Sequence, residues 1–421
     1  MKRVVITGMG IISPIGNTKQ DVYHSLLTNR SGIESVDSWA QIKDLRVRVA
    51  GRCRDYDAKR INRKDRRTMG PMAIMAALST LDAIAMSGID PDIISSADTG
   101  VSMGSTTGSG GVIEKIFNDF LTSGGISCLE GTTFMKIMNH SVSANVAAML
   151  KTKGRVLSPC SACSTSTQAI GEGFEMIKNG YQTVMICGGS DELHYSTAGV
   201  FDVLHAASKK RGTQPLKTPS PFDLARDGLV VSEGAATLVL EEYEHAKNRG
   251  ADILGELIGY YTCCDGKHMT SPSAEGMFRC MKGALDQAGC DINEIDYINA
   301  HATGTKLGDV AESKAIKMIC GDKIPVSATK GFTGHTLAAS GVMETIFCLL
   351  MMEHNLIIPT LNLETIDPDC DGIFHVQKQI KKQVKKVMTS NFAFGGINAT
   401  LVLQKIRTGI NCRTINETEA V

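Results

Sequence analysis

The sequence has no excess of charge of either sign: 44 lysines and arginines balance 44 aspartates and glutamates over 421 residues. Without a global field, nothing draws in a nucleic-acid backbone or an anionic membrane surface, although local basic patches remain open. Aromatic residues are scarce, 5% of the chain with a single tryptophan, whereas glycine reaches 42. Many of those glycines cluster in short segments, which suits a tightly wound α/β enzyme better than a β-sandwich or a disordered scaffold. A membrane-length apolar run is also missing. The strongest candidate, Val342 to Pro359, is interrupted by Glu344, Glu353 and His354, and a helical span needs ~20 apolar residues. There is no even cysteine framework either. The 13 cysteines are scattered through apolar stretches such as Val184-Met185-Ile186-Cys187 and read as small buried hydrophobes in a reducing compartment. At the amino terminus Met1-Lys2-Arg3 precedes an apolar stretch to Ile12, but Gly8 and Gly10 break it and no cleavage pattern follows. It reads as a first strand, Arg3 to Thr7, running into a glycine turn. The expectation is a soluble cytoplasmic protein with no nucleic-acid or membrane partner.

Pro71 to Met86 has helical spacing, Ala97 to Met103 reads as a strand ending in a glycine-rich loop, and Met138 to Met149 reads as a buried helix. From Gly154 the pattern sharpens into an extended segment, a small-residue turn at Cys160 to Ser166, a helix over Thr167 to Asn179 and a buried strand. That rhythm predicts a layered α/β fold. One word occurs twice: Ala236-Thr237-Leu238-Val239-Leu240 and Ala399-Thr400-Leu401-Val402-Leu403, each after a glycine-containing turn. A short strand word can recur by chance, but its place near the end of each half favours an internal duplication. The expected halves are residues 1–251 and 252–408, with a polar tail over 409–421.

Cys163 lies in Ser161-Ala162-Cys163-Ser164-Thr165-Ser166, between a strand and a helix. A thiol there meets the positive end of the helix dipole and unpaired N–H groups, both of which stabilise the reactive thiolate. Two readings compete with a nucleophile: a packed cysteine, and a Cys160-x-x-Cys163 redox pair. His301, in Asn299-Ala300-His301-Ala302-Thr303-Gly304-Thr305, and His335, in Lys330-Gly331-Phe332-Thr333-Gly334-His335-Thr336, each follow a short strand among small residues. No second histidine or acidic cluster stands at ligand spacing, so a metal is not expected. Phe392 to Asn398 is a glycine turn after a strand. It suits an ordinary hairpin, and it also suits aiming N–H groups at an oxyanion.

Taken in order, these segments resemble the elongating β-ketoacyl-acyl-carrier-protein synthases, from Arg3-Val4-Val5-Ile6-Thr7-Gly8-Met9-Gly10 to about Leu403, with Pro221-Phe222-Asp223, Arg226-Asp227-Gly228 and Glu233-Gly234 between. The resemblance implies a thiolase-like fold, two duplicated halves in five α-β-α-β-α layers, normally dimeric. It also implies decarboxylative condensation of a malonyl-carrier protein with an acyl chain held on Cys163. His301 and His335 would sit at the malonyl carbonyl, with Lys330 as the active-site lysine and Glu344 as its acidic partner. Phe394 would be the gate, its N–H joining that of Cys163 in the oxyanion hole. Thr303 and Thr305 match the pantetheine-binding threonines, and Thr107 and Phe201 the acyl pocket. Arg63, Lys64 and Arg67 match part of a basic patch that meets the acidic carrier protein, and a solvated helix face is the alternative. No resident cofactor is implied, because phosphopantetheine arrives on the carrier. The partner subunit is either a second copy or a related chain-length factor. A non-catalytic factor would lack the cysteine, and a biosynthetic thiolase would carry a second one near the carboxyl terminus. The chain departs from the family at Ala302, Gly304, Ala393 and Ile397, where glycine, serine, glycine and threonine are usual.

Overall fold

The computed structural model describes residues 1–209 and 214–406, so the expected tail lies outside the described residues. Eleven strands share one hydrogen-bonded sheet: β1 (Val4–Ile12), β2 (Thr99–Gly104), β3 (Val156–Leu157), β4 (Val184–Asp191), β5 (Gly234–Glu242), β6 (Gly255–Cys264), β7 (Tyr297–Ala300), β8 (Pro325–Ala328), β9 (Phe374–His375), β10 (Lys386–Ala393) and β11 (Ile397–Gln404). Their spatial order is β9-β8-β7-β10-β11-β6-β1-β5-β4-β2-β3. The sheet consists of two copies of one unit, joined where β1 and β6 pair over three residues. In the first unit β3, β2 and β4 run parallel and β5 and β1 follow antiparallel. In the second, β8, β7 and β10 run parallel and β11 and β6 follow antiparallel. The repeated word falls on β5 in one unit and on β11 in the other, which occupy the same place in the pattern.

Six helices supply the other layers: α1 (Pro71–Ser87), α2 (Ser141–Leu150), α3 (Thr165–Lys178), α4 (Ala274–Ala288), α5 (Lys306–Cys320) and α6 (Ser340–His354). α1 and α2 cover the first unit, and α4 with α5 cover the second. α3 and α6 cross in the middle: α3 touches β2, β4 and β5 on one side and β6 and β11 on the other. This is the five-layer arrangement expected. α6 is apolar and buried nearly all round, as a helix packed between the two units of the sheet must be. The stretch Leu337–His354 is long and apolar enough to cross a membrane, but 89% of it is inside the fold, so it is core. Gly341 permits the crossing, because a Cβ there would stand 1.9 Å from Thr167 Oγ1 on α3.

One sequence expectation needs correction. β1 does not stop at a glycine turn but continues through Gly8 and Gly10 to Ile12. Both glycines are there because α1 lies against the strand: a Cβ on Gly10 would be 2.0 Å from Ser79 O, and one on Gly8 2.1 Å from Ala83 O.

Candidate active site

Cys163 sits in a single 3₁₀ turn, Ala162–Ser164, that leads directly into α3. The turn is tight because Ala162 takes a left-handed conformation, φ 50°, an uncommon state for a residue with a Cβ. The second unit repeats the device at the head of α6, where Leu337 also has φ 50°. Thr165 Oγ1 caps the turn, donating to Ala162 O at 2.8 Å and accepting from Ser161 N at 2.9 Å. Cys163 is 8% exposed, and burial pushes its thiol up to about 11. The Lys330 charge and the N–H groups of Cys163 and Phe394 pull the other way. The expectation of a thiolate set by the helix terminus is therefore outweighed by desolvation. Both N–H groups converge on the sulfur, so an oxygen of an acyl group carried there would find two donors.

His335 Nε2 lies 2.9 Å from Cys163 Sγ, and its Nδ1 lies 2.9 Å from Ser340 Oγ. A hydroxyl both donates and accepts, so Ser340 supports either imidazole tautomer. His301 stands edge-on to His335, ring centroids 5.3 Å apart. Its Nδ1 faces Lys330 Nζ at 3.2 Å and Asn391 Nδ2 at 3.1 Å. An ammonium and an amide nitrogen only donate, so Nδ1 accepts and the proton belongs on Nε2, facing the cavity. Burial and the Lys330 charge hold both imidazoles well below the ordinary histidine range, and His335 adds to this at His301. They are neutral hydrogen-bond donors at pH 7. Lys330 pairs with Glu344 at 2.5 Å, both fully enclosed, and Asn391 Nδ2 also donates to Glu344 Oε2 at 2.8 Å.

Asn391 was not singled out from the sequence, and three carboxylates were missed with it. Glu312 accepts from the N–H groups of His301 and Ala302, each at 2.7 Å. Asp309 accepts from Gly304 N at 3.1 Å and Phe222 N at 2.9 Å, with Arg226 at 3.5 Å. Together they hold the His301–Gly304 loop over the first turns of α5. Asp191, at the end of β4, accepts from Ser105 Oγ at 2.6 Å, Thr106 N at 3.0 Å and Ala338 N at 2.8 Å, tying the Thr107 loop to the head of α6. Burial pushes Glu312 up to about 8 and Asp309 up to about 6. Nothing local distinguishes Asp309 and Glu312 from other polar positions of α5.

Residues 1–246 match the β-ketoacyl synthase N-terminal domain, and residues 254–364 match the C-terminal domain of the same family. The chain belongs to the β-ketoacyl synthase family. It is 41% identical over 408 residues to the 3-oxoacyl-[acyl-carrier-protein] synthase 1 of Haemophilus influenzae, covering 96% of this chain and 99% of that one. A β-ketoacyl synthase from Burkholderia phymatum superposes with a TM-score of 0.93 at 40% identity, over 97% of this chain and 100% of that one. A type II polyketide ketosynthase in complex with its acyl-carrier protein, AntDE:AntF, superposes at 0.88 with 27% identity, over 96% of this chain and 100% of that one.

In this β-ketoacyl synthase a cavity of about 270 Å³ opens onto Cys163, His301 and His335. Thr303 and Thr305 line it with hydroxyls 3.1 Å apart. Phe201 also lines it, its ring 5.9 Å from that of Phe394, which is 38% exposed on the β10–β11 hairpin. That turn is therefore a hairpin and a wall of the cavity at once. The four departures are accommodated. Neither Ala302 nor Ala393 takes a positive φ, whereas Gly304 does, at 85°, and Ile397 does not line the cavity. Thr107 is exposed on a loop whose backbone donates to Asp191, outside the lining of this single chain's cavity. Arg63, Lys64 and Arg67 are exposed on or beside the short helix Arg63–Arg66, and among the described residues no carboxylate pairs with them. Cys160 is an exposed free thiol, so Cys160 and Cys163 form no disulfide. The spacing argument against a metal is superseded in space, since ligand atoms of Cys163, His301 and His335 lie within 4.8 Å of one another. A divalent cation among them would face the Lys330 ammonium, while an anionic oxygen would be drawn to it.

Proposed function

We propose that this chain is a 3-oxoacyl-[acyl-carrier-protein] synthase, extending an acyl chain held on Cys163 by two carbons taken from a malonyl-carrier protein. The observation that carries this reading is the meeting of Cys163, two neutral histidines and two converging N–H groups in one cavity. In the first step Cys163 sulfur attacks the acyl thioester and the carrier thiol leaves with the proton. His335 Nε2 is in place to receive the thiol proton, with Ser340 supporting the tautomer this needs. The malonyl thioester then takes the place of the departed carrier, its carbonyl oxygen accepting from His301 and His335. Carbon dioxide leaves, the bonding pair passes to the enolate, and the two imidazole N–H groups hold the oxygen. The enolate carbon attacks the acyl carbonyl, whose oxygen rests on the N–H groups of Cys163 and Phe394. Collapse expels the Cys163 sulfur as a thiolate, which takes one proton from solvent by way of His335 Nε2, 2.9 Å away, and frees the 3-oxoacyl-carrier product. Losing one such donor costs about 2.7–4 kcal/mol of barrier in comparable sites.

In this reading Lys330 and Glu344 position His301. Thr303 and Thr305 take the pantetheine arm, Phe394 gates the entrance, and Arg63, Lys64 and Arg67 meet the acidic carrier. No resident metal or redox cofactor takes part. The pathway is fatty-acid or type II polyketide synthesis, in the cytoplasm, consistent with free thiols throughout the described cysteines. A second ketosynthase-like subunit, a second copy or a chain-length-factor relative, covers the exposed Phe117, Leu121, Ile126 and Phe134 beside Thr107, an apolar surface of the kind that marks an interface. The test is intact-protein mass spectrometry with a panel of acyl-carrier proteins, followed by malonyl-carrier protein, with Cys163→Ala alongside. Acylation of Cys163 and transfer to a carrier product two carbons longer is expected. Elongation retained in Cys163→Ala would reject the nucleophile, and a folded chain that never acylates alone would favour the heterodimer.

A further inference from the structure

The catalytic cavity adjoins a second hollow of about 570 Å³, and the two are bordered in common by Ser271, Pro272, Lys306 and Leu307. These residues form a saddle between the loop that precedes α4 and the first turn of α5. Lys306 is the only lysine or arginine bordering the catalytic cavity among the described residues. It follows Thr305 directly and is exposed, and its Nζ donates to Leu224 O at 3.0 Å. No carboxylate pairs with it among the described residues. Leu307, 67% exposed, and Pro272 add apolar surface to the same saddle.

Beyond the saddle, the second hollow is bordered by the cations Arg226, Lys267, Lys306 and Lys314 and by the carboxylates Glu275, Asp367 and Asp369. Glu275 lies 3.2 Å from Lys267, and Asp367 lies 2.5 Å from Arg226. That leaves Lys306 and Lys314 against Asp369, a local excess of positive charge just outside the catalytic cavity. The arm that a carrier protein brings has matching chemistry. It runs from the thiol through two amides to a carbon bearing two methyl groups, and it ends in the phosphodiester that joins it to the carrier. With the thioester at Cys163 and the middle of the arm on Thr303 and Thr305, the phosphate end is carried outward past Lys306.

We propose that Lys306 is a positioning residue for the carrier arm: its ammonium binds the phosphodiester, and Leu307 and Pro272 pack on the two methyl groups beside that phosphate. The inference rests on the condensing-enzyme reading of the cavity and adds a place for the one charged group of the arm. An ammonium donating to a phosphate oxygen makes a charge-assisted hydrogen bond, and solvent screening keeps its effect modest at an exposed site. Lys314 stands eight residues further along α5, about 12 Å on, too far to share the same phosphate.

The experiment uses the full chain and two small acyl donors, the thioesters of pantetheine and of 4′-phosphopantetheine, each carrying the acyl group that the carrier panel selects. Acylation of Cys163 is followed by intact-protein mass spectrometry. The phosphorylated donor should have the larger second-order rate constant, by roughly three- to tenfold, the size expected of a charge-assisted hydrogen bond at an exposed site. Lys306→Met should bring that ratio close to one, Lys306→Arg should keep most of it, and Lys314→Met should keep all of it. With the acyl-carrier protein itself, Lys306→Met should raise KM by a similar factor at nearly constant kcat. Equal rates from the two donors in the wild type, or a ratio that survives Lys306→Met, would overturn the proposal while leaving the role of Cys163 standing. No acylation from either donor would bring down the condensing-enzyme reading and this inference with it.

Discussion

Replacing Lys330 by methionine separates what the buried ion pair does for the fold from what it does for His301. Lys330 Nζ and Glu344 Oε1 are 2.5 Å apart, with side chains 1% and 3% exposed. Removing the ammonium leaves a buried carboxylate whose remaining partner is Asn391 Nδ2 at 2.8 Å. Breaking a buried pair from one side costs about 3–5 kcal/mol, whereas replacing both members with apolar side chains is often neutral. Lys330→Met should therefore lower stability by that amount, and Lys330→Met/Glu344→Met should recover most of it. The pH dependence has a definite sign. Burial already raises Glu344 above the usual carboxylate range with Lys330 present, and losing the cation raises it further. A carboxyl raised in the folded state favours the native state below its unfolded pKa and loses that contribution as pH rises through the folded one. The single variant should thus be close to wild type near pH 5 and worst near pH 8. Urea unfolding at several pH values measures this, and malonyl-carrier decarboxylation measures the site. The double variant should regain stability but stay at least ~10-fold slow, because Nδ1 of His301 has lost its charged donor. A double variant as unstable as the single would refute the ion-pair argument. Recovered decarboxylation would refute the positioning role.

Glu312, pushed up to about 8 by burial, should make wild-type stability fall as pH rises from about 5 to 8, by up to ~1.4 kcal/mol per pH unit, and level off above 8, where the carboxyl is ionised in both states. Glu312→Gln should flatten that limb, and a pH series of thermal midpoints checks it. Gly10→Ala should cost about 1–3 kcal/mol by driving a methyl into Ser79 O on α1, read as a lower urea midpoint with unchanged oligomeric state. Reversing charge at Arg63 and Arg67 should raise the carrier-protein KM severalfold with little change in kcat, an effect that shrinks in high salt. An unchanged KM at low salt would return those residues to a solvated face.

Local pattern was enough to suggest the two units and to single out Cys163, His301 and His335 as candidates, and the family resemblance joined the three into one site. Cys163, His301 and His335 each follow a short strand among small residues, and the repeated word marks β5 and β11, because strand alternation and turn chemistry are properties of neighbouring residues. The groups that make the trio work came from elsewhere. Asn391 is one more polar residue on a buried strand until β10 sets it against His301. Glu312 and Asp309 lie on α5 with helical spacing that says nothing of the loop their oxygens hold. Thr107 was placed in the pocket by resemblance, and the anchor of its loop, Asp191, lies 84 residues further along the chain. Gly8 and Gly10 looked like a turn because a glycine pair carries two meanings, and only the position of α1 distinguishes close approach from reversal.

What the sequence determined by itself was the order of elements, the duplication and the identity of the chemically capable side chains, all of which depend on contacts a few residues long. What the tertiary structure decided was their state. The Cys163 thiol expected to be a ready thiolate at a helix terminus is instead pushed up to about 11. The His301 proton is assigned to Nε2 by Lys330 and Asn391. Both outcomes turn on desolvation and on donors that arrive from distant parts of the chain, and burial is a property that no window of neighbouring residues contains.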